Sequence, residues 1–331
     1  MKQRILVVGG AGYVGSHVVK WLQKKGASCV TADNLSTGHR GLVQSDFIHL
    51  DLTDAKAVDT VFDTDSFDVV IHLAAKSLVG ESVSEPALYY EQNVGGMLNL
   101  LTSMKKHAVK NLIFSSTCAV YSEQEEPPFT EESLVSPASC YGRTKLACEH
   151  MIRDFSRAYE LNAVMFRYFN VAGADPDTEI GEWHDPETHL IPLCFKQILE
   201  QSTPLSVFGT DYDTTDGTCI RDYIHVNDIA IAHEKALGFL SQHSGIELFN
   251  LGTGTGLSVK QIIEAVESVS SQKLAYQYCE RRDGDVPTLV ANYKKAEERL
   301  GWRPSHSELK SMLNDAWKWH QKLHDRNSNS V

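Results

Sequence analysis

Apolar residues cluster in short runs through the first half of the chain, at residues 5–8, 27–32, 47–50, 69–73, 112–115 and 163–169. Each run is four to seven residues long and ends in small or polar residues. Between the first two, residues 17–25 place Val18, Val19 and Leu22 at helical spacing. Strands this short and this continuously apolar, separated by helical stretches, predict a parallel sheet covered on both faces. The fold class expected is therefore α/β, a Rossmann-type doubly wound parallel sheet.

The pattern changes near Asn170. Residues 175–188 are rich in Asp, Glu, Gly and Pro and read as a long loop. After it come a helix at 190–200, a strand at 205–208, the loop 209–217, a helix at 228–240, a strand at 247–251 and a helix at 260–269. A final helix spans 309–324, and 325–331 read as a fraying polar tail. This suggests a dinucleotide-binding domain over 1–172 and a smaller mixed α/β substrate domain over 173–331, with segments near 217–252 crossing between the lobes. The 331 residues suit one large domain plus a smaller one.

The first run leads directly into Gly9-Gly10-Ala11-Gly12-Tyr13-Val14-Gly15, which opens the first helix. Gly9, Gly12 and Gly15 allow a tight turn, close approach of the backbone to a pyrophosphate, and close helix–strand packing. The helix start offers unpaired N–H groups and a partial positive charge to phosphates. Asp33 ends the second strand, where an acid accepts hydrogen bonds from ribose hydroxyls and repels a 2′-phosphate. Asn34 follows, and the nearest cation, Arg40, is seven positions on, so NAD is favoured over NADP. Asp51 and Leu52 either meet the adenine or simply end a strand.

Tyr141-Gly142-Arg143-Thr144-Lys145 puts a phenol and an ammonium at i and i+4, one face of a helix. A tyrosine titrates near pH 10, so a base working near pH 7 needs its pKa lowered by about three, roughly 4 kcal/mol. A cation at ~4 Å across an effective dielectric of ~20 supplies that much. Phe114-Ser115-Ser116-Thr117 lies at a strand carboxyl end, which in such sheets faces the ligand crevice. A Thr117 hydroxyl there can bond a reacting oxygen.

Net charge is −12, which as a whole repels nucleic acid and anionic membranes. An anionic ligand must be met by locally placed arginines. No apolar run approaches the ~18–20 residues of a membrane helix. The Cys count is 7, with no Cys-x-x-Cys pair, so reduced cytoplasmic thiols are expected and a disulfide framework or structural zinc is not. His184 and His189 flank Asp185 in the long loop, but their spacing does not make a metal site, and none is expected.

Together these stretches resemble the extended short-chain dehydrogenase/reductase family nearly end to end. Within it the chain looks like the nucleotide-sugar 4-epimerases, through Val79-Gly80-Glu81-Ser82, Asn93, residues 114–121, Arg167-Tyr168-Phe169-Asn170, Asp216-Gly217-Thr218, Arg221-Asp222-Tyr223-Ile224-His225-Val226, Asn250-Leu251-Gly252-Thr253-Gly254 and Arg281-Arg282-Asp283-Gly284-Asp285. The resemblance implies a homodimer that interconverts UDP-glucose and UDP-galactose. Hydride is removed at C4, the 4-keto sugar turns over, and the hydride returns to its other face. Tyr141 is the implied base, Lys145 its pKa-lowering partner and ribose ligand, and Thr117 the hydroxyl on the reacting oxygen. NAD would contact Gly9, Gly12, Tyr13, Val14, Gly15, Asp33, Asn34, Asp51, Leu52, Leu73, Ala74, Ala75, Asn93, Ser115 and Tyr168. The UDP-hexose would contact Asn170, His189, Phe208, Arg221, Arg282, Asp285 and Leu289.

Two positions depart from the family pattern: Ser77 stands where a lysine is common and His189 where an asparagine is. Sibling dehydratases and decarboxylases carry an acid after the Ser-Ser segment. Here Thr117-Cys118-Ala119 has none, which argues against elimination chemistry. A non-catalytic NAD-sensing protein would not need Tyr141, Lys145 and Thr117 together. Leu289 stands where a family tyrosine restricts the site to plain hexoses. It would admit N-acetylhexosamines slowly, or it simply packs against the core.

Overall fold

The computed structural model describes residues 3–201, 203–282 and 286–328. It opens with β1 (Arg4–Val8), α1 (Tyr13–Lys24), β2 (Ser28–Asp33), β3 (Asp46–His49), α2 (Ala55–Thr64) and β4 (Val69–His72). Then α3 (Val79–Ser84), α4 (Pro86–Tyr89), a π-helical segment Tyr90–Gly95 and α5 (Gly96–Lys106) lead to β5 (Asn111–Thr117), α6 (Cys140–Tyr159) and β6 (Asn162–Tyr168). The apolar runs became strands because both sheet faces are covered. In β1, Ile5 and Val7 enter one core cluster while Leu6 and Val8 enter the other, and β4, β5 and β6 alternate in the same way. Beyond their first residues these strands are buried on both faces, which favours continuous apolar runs.

The second half holds β7 (Asn170–Ala172), α7 (Leu190–Glu200), β8 (Leu205–Phe208), β9 (Ile220–His225), α8 (Val226–Leu240) and β10 (Ile246–Leu251). It ends with β11 (Gly256–Ser258), α9 (Val259–Ser270), β12 (Tyr276–Cys279), β13 (Thr288–Leu289), α10 (Lys294–Leu300) and α11 (Leu309–Ser328). The terminal helix runs four residues past the expected 324, to Ser328. Residues 329–331 lie outside the described residues.

The large sheet has seven strands in the order β10-β6-β5-β4-β1-β2-β3, all parallel. Its last strand, β10, comes from the second half of the chain. The order reverses at β1, whose neighbours are β2 and β4. The crevice of such a sheet opens at the strand carboxyl ends at that reversal. The glycine turn after β1, the loop after β4 and the end of β5 all emerge there.

A smaller sheet places β9 against β7, β11 and β13, and β8 pairs with β12. Helices α7, α9 and α11 pack over a separate core of Ile191, Phe195, Ile262, Val266 and Leu313. Two buried carboxylates hold the connecting loops. Asp222 accepts from the Thr253, Gly254 and Ala291 amides, and Asp228 from the Ser305 and His306 amides and the Ser307 hydroxyl.

Candidate active site

The glycine turn is shaped by what its side chains would strike. A Cβ on Gly9 would lie 2.4 Å from the Ala74 nitrogen, and one on Gly15 2.0 Å from the Gly9 carbonyl oxygen. Those two glycines let helix, strand and loop touch. Gly12 differs: a Cβ there meets only the Gly9 carbonyl, at 3.4 Å. Gly12 caps α1 with no side-chain hydrogen bond, so the helix start is open where a pyrophosphate would approach. Val14 follows on the first turn, half-buried against the core.

Asp33 is buried and supports this turn itself. One carboxylate oxygen accepts from the Ala11 amide at 3.0 Å, the other from the Leu35 amide at 2.8 Å. Burial raises its pKa despite those two bonds. Asn34 donates to Asp51, whose other oxygen caps Thr53, and these bonds hold Asp51 below the usual carboxylate range. Leu52 is buried behind them. The Leu73 and Ala74 amides both bond the Val8 carbonyl, which keeps Leu73, Ala74 and Ala75 beside the glycine turn. Tyr13 is buried and donates to the Gly173 carbonyl at 2.7 Å.

The residues expected to be catalytic come near one another because α6 begins tightly against the end of β5. Ser139 caps α6 by accepting from the Gly142 amide. A Cβ on Gly142 would sit 2.4 Å from the Ala119 carbonyl. Glycine in a helix is costly, by roughly 0.5–1 kcal/mol relative to alanine, but here it lets the helix close onto the turn that follows Thr117. The Thr117 side chain then lies close enough to the Tyr141 phenol to favour its ionised form. The sequence reading overlooked Gly142; a glycine directly after the tyrosine of a helical motif was the available signal.

Lys145 corrects the expected electrostatics. Its ammonium donates to the Ser115 carbonyl at 2.7 Å and lies 4.8 Å from the Phe114 ring centre. Burial pulls its pKa down to about 8. Burial also pushes the Tyr141 phenol up to about 12, with Thr117 pulling the other way. In the protein alone, desolvation governs the Tyr141 phenol.

Asn93 sits in the π-helical segment, a distortion frequent at functional sites. Its amide accepts from the Lys76 nitrogen and donates to the Lys76 carbonyl and the Thr144 hydroxyl, tying the loop after β4 to α6. Tyr168 is buried, with its hydroxyl 2.9 Å from His233 Nε2.

The small sheet gathers several expected substrate residues. Asn170 pairs with Tyr223 on β9, and Leu289 with Arg221. Leu289 is half-buried against Cys118, Tyr121, Phe129, Phe169 and Ala291, a cluster that includes the neighbours of Thr117 and Asn170. Arg221 donates to the Val286 carbonyl at 2.9 Å. Arg282 is exposed with its guanidinium 3.9 Å over the Phe208 ring, a contact made possible by β12 pairing with β8. His189 caps α7 from the long loop, and its Nδ1 meets Glu182 at 2.8 Å. Asp285 lies outside the described residues.

Residues 5–252 match the NAD dependent epimerase/dehydratase family. The chain belongs to that family. Among curated members, it is 47% identical over 319 residues to the UDP-glucose 4-epimerase of Halalkalibacterium halodurans, covering 96% of each chain. Among solved structures, it superposes on UDP-glucose 4-epimerase from Brucella ovis in complex with NAD at 43% identity and TM-score 0.92, covering 96% of this chain and 98% of that one. The Bifidobacterium longum enzyme, in complex with NAD+ and UDP, gives 35% identity and TM-score 0.93 at the same coverage. In this epimerase/dehydratase chain, the strand end carrying Thr117 continues into Cys118 and Ala119, a stretch without an acid. No helix among the described residues is long and apolar enough to cross a membrane.

Proposed function

We propose that this chain interconverts UDP-glucose and UDP-galactose by oxidation and re-reduction at C4. The observation that carries this is the placement of Thr117 beside Tyr141, with Lys145 one turn along α6 and bonded to the Ser115 carbonyl, near an open glycine turn and with no acid in the stretch Thr117-Cys118-Ala119. NAD would supply the hydride acceptor and a ring charge, held by the open start of α1, Asp33, the loop 73–75 and Lys145. Tyr141 takes the proton from the C4 hydroxyl at its phenolic oxygen, and Thr117 orients that oxygen. Lys145, bonded to Ser115, is fixed at the same wall and donates to the nicotinamide ribose. Asn170, Arg221 and Arg282 hold the diphosphate, with bidentate arginine geometry suited to phosphate. Gripping the diphosphate and leaving the hexose loose lets the keto sugar turn over.

Leu289 supports a slower second activity on UDP-N-acetylhexosamines, because leucine can change rotamer where a tyrosine would fill the space. The same reading places the enzyme in the cytoplasm as a homodimer, in line with seven cysteines of which none is paired. The test is turnover of UDP-galactose by the purified protein with no added oxidant. UDP-glucose forms and free NADH does not accumulate. Stoichiometric NADH release would overturn the reading in favour of a net dehydrogenase.

A further inference from the structure

The long loop before α7 folds Glu182, His184, Glu187 and His189 onto one another, with one donor atom from each within 4.8 Å of all the rest. The Glu182 and Glu187 side chains are only 5% and 8% exposed. Both histidines present the same atom, Nδ1, to both carboxylates. His189 Nδ1 is 2.8 Å from Glu182 and 3.4 Å from Glu187, and His184 Nδ1 is 3.5 Å from each.

A second observation concerns His184. Its Nδ1 is buried and makes no hydrogen bond, although it faces two carboxylates. At 3.5 Å it is beyond normal hydrogen-bond distance, yet it lies at the separation that two ligands of one ion adopt. Zinc–nitrogen and zinc–oxygen bonds of about 2.0–2.2 Å in a tetrahedron put neighbouring donors about 3.3–3.5 Å apart. Three of the four His–Glu separations fall within about 0.1 Å of that span.

We propose that Glu182, His184, Glu187 and His189 form a structural site for one zinc-type divalent cation. Two imidazoles with two carboxylates favour zinc over calcium or magnesium, which prefer oxygen ligands alone. Two carboxylates balance a dication, and both rings bind as neutral ligands. The ion would fasten the loop to the start of α7. It would also stiffen the wall behind the glycine turn, because the Tyr13 ring meets His184 edge-on with centroids 6.3 Å apart. The other grouping, Asp59, Asp63 and His107, is surface-exposed and shares Asp59 with Lys106, so it carries no such case.

The experiment uses the purified holoenzyme, stripped with a chelator and then titrated with Zn²⁺ against a chromophoric competitor, and separately with Co²⁺. One Zn²⁺ per chain and a tetrahedral Co²⁺ visible spectrum are expected. Glu187→Gln and His184→Gln each weaken Zn²⁺ binding at least ~10-fold, since even outer-shell changes cost 10–100-fold. Asp63→Asn leaves it unchanged. Failure to bind one equivalent, an octahedral Co²⁺ spectrum, or unchanged affinity in both variants would overturn the proposal. The Co²⁺ spectrum of the unmutated protein is independent of whether a variant folds, and circular dichroism checks the variants themselves.

Discussion

Two buried charges stand one turn apart on the same face of α6 and are treated in opposite ways. Glu149 is satisfied from every side: Arg167 donates to it at 3.0 and 2.8 Å, and the Ser116 hydroxyl at 2.5 Å. Arg167 in turn stacks over Tyr121, which donates to Asn250. Lys145 is just as buried, yet its one anchor is a neutral carbonyl. Glu149 attracts it, but not enough to offset burial. The first charge is closed and locks α6 to β5 and β6. The second keeps donor capacity beyond its bond to Ser115, which fits the ligand role proposed for it. Both Glu149 oxygens are engaged by charge-assisted bonds, whereas Lys145 meets a neutral carbonyl.

The largest expected effect falls on activity alone. Tyr141→Phe should lower kcat by about 10²–10⁴-fold, the usual weight of general acid–base catalysis, while thermal stability and NAD content stay near those of the parent. A steady-state rate close to the parent's would remove Tyr141 from the mechanism.

Next comes the closed side of the comparison. Glu149→Gln leaves Arg167 buried without a counter-charge and should destabilise the protein by about 3–5 kcal/mol, read from denaturant unfolding. A loss below about 1 kcal/mol would show that the network is not holding α6 in place.

Lys145→Met should do the reverse. It removes an unpaired buried charge and should stabilise the protein by about 1–4 kcal/mol, as apolar replacement of buried charges can, while turnover collapses. The pH dependence has a definite sign. Lys145 has its pKa lowered from 10.5 to about 8 in the folded protein. Between those values the unfolded chain binds more protons at this site, so its contribution makes stability rise with pH across that window. The rise attributable to Lys145 should vanish in Lys145→Met, measured as the difference between the two stability–pH curves.

The smallest effect asks whether openness extends to the hexose end. Leu289→Tyr should cut the kcat/KM ratio of UDP-N-acetylglucosamine to UDP-glucose by about tenfold, the low end of what one apolar contact discriminates. An unchanged ratio would assign Leu289 to packing only.

The large sheet was legible because its central strands β1, β4, β5 and β6 are mostly buried on both faces and so read as apolar runs. The strands of the smaller sheet were not. β9 interrupts its apolar residues with Arg221 and Asp222, and Asp222 is polar because loops must be tied to it. β7, β11 and β13 have only two or three residues each, too few for any period to show. Tyr141 and Lys145 follow a spacing rule and could be read directly. Glu149 and Arg167 meet across a helix and a strand, and Glu182 meets His189 through a folded loop, so no local spacing announces either pair. The effect of burial on Tyr141 was invisible for the same reason, since a motif names neighbours along the chain and not the solvent they lose.

The position of β10 bears on how the protein is made. Synthesis delivers β1 to β6 in order, but the edge of β6 waits for residues 246–251 to leave the ribosome. Until then a row of unpaired backbone groups is open to another strand, the circumstance in which nascent chains aggregate or swap segments. A chain stopped at residue 172 would leave that edge of β6 without its β10 partner. Supplying residues 226–251 in trans is the minimum that would close it.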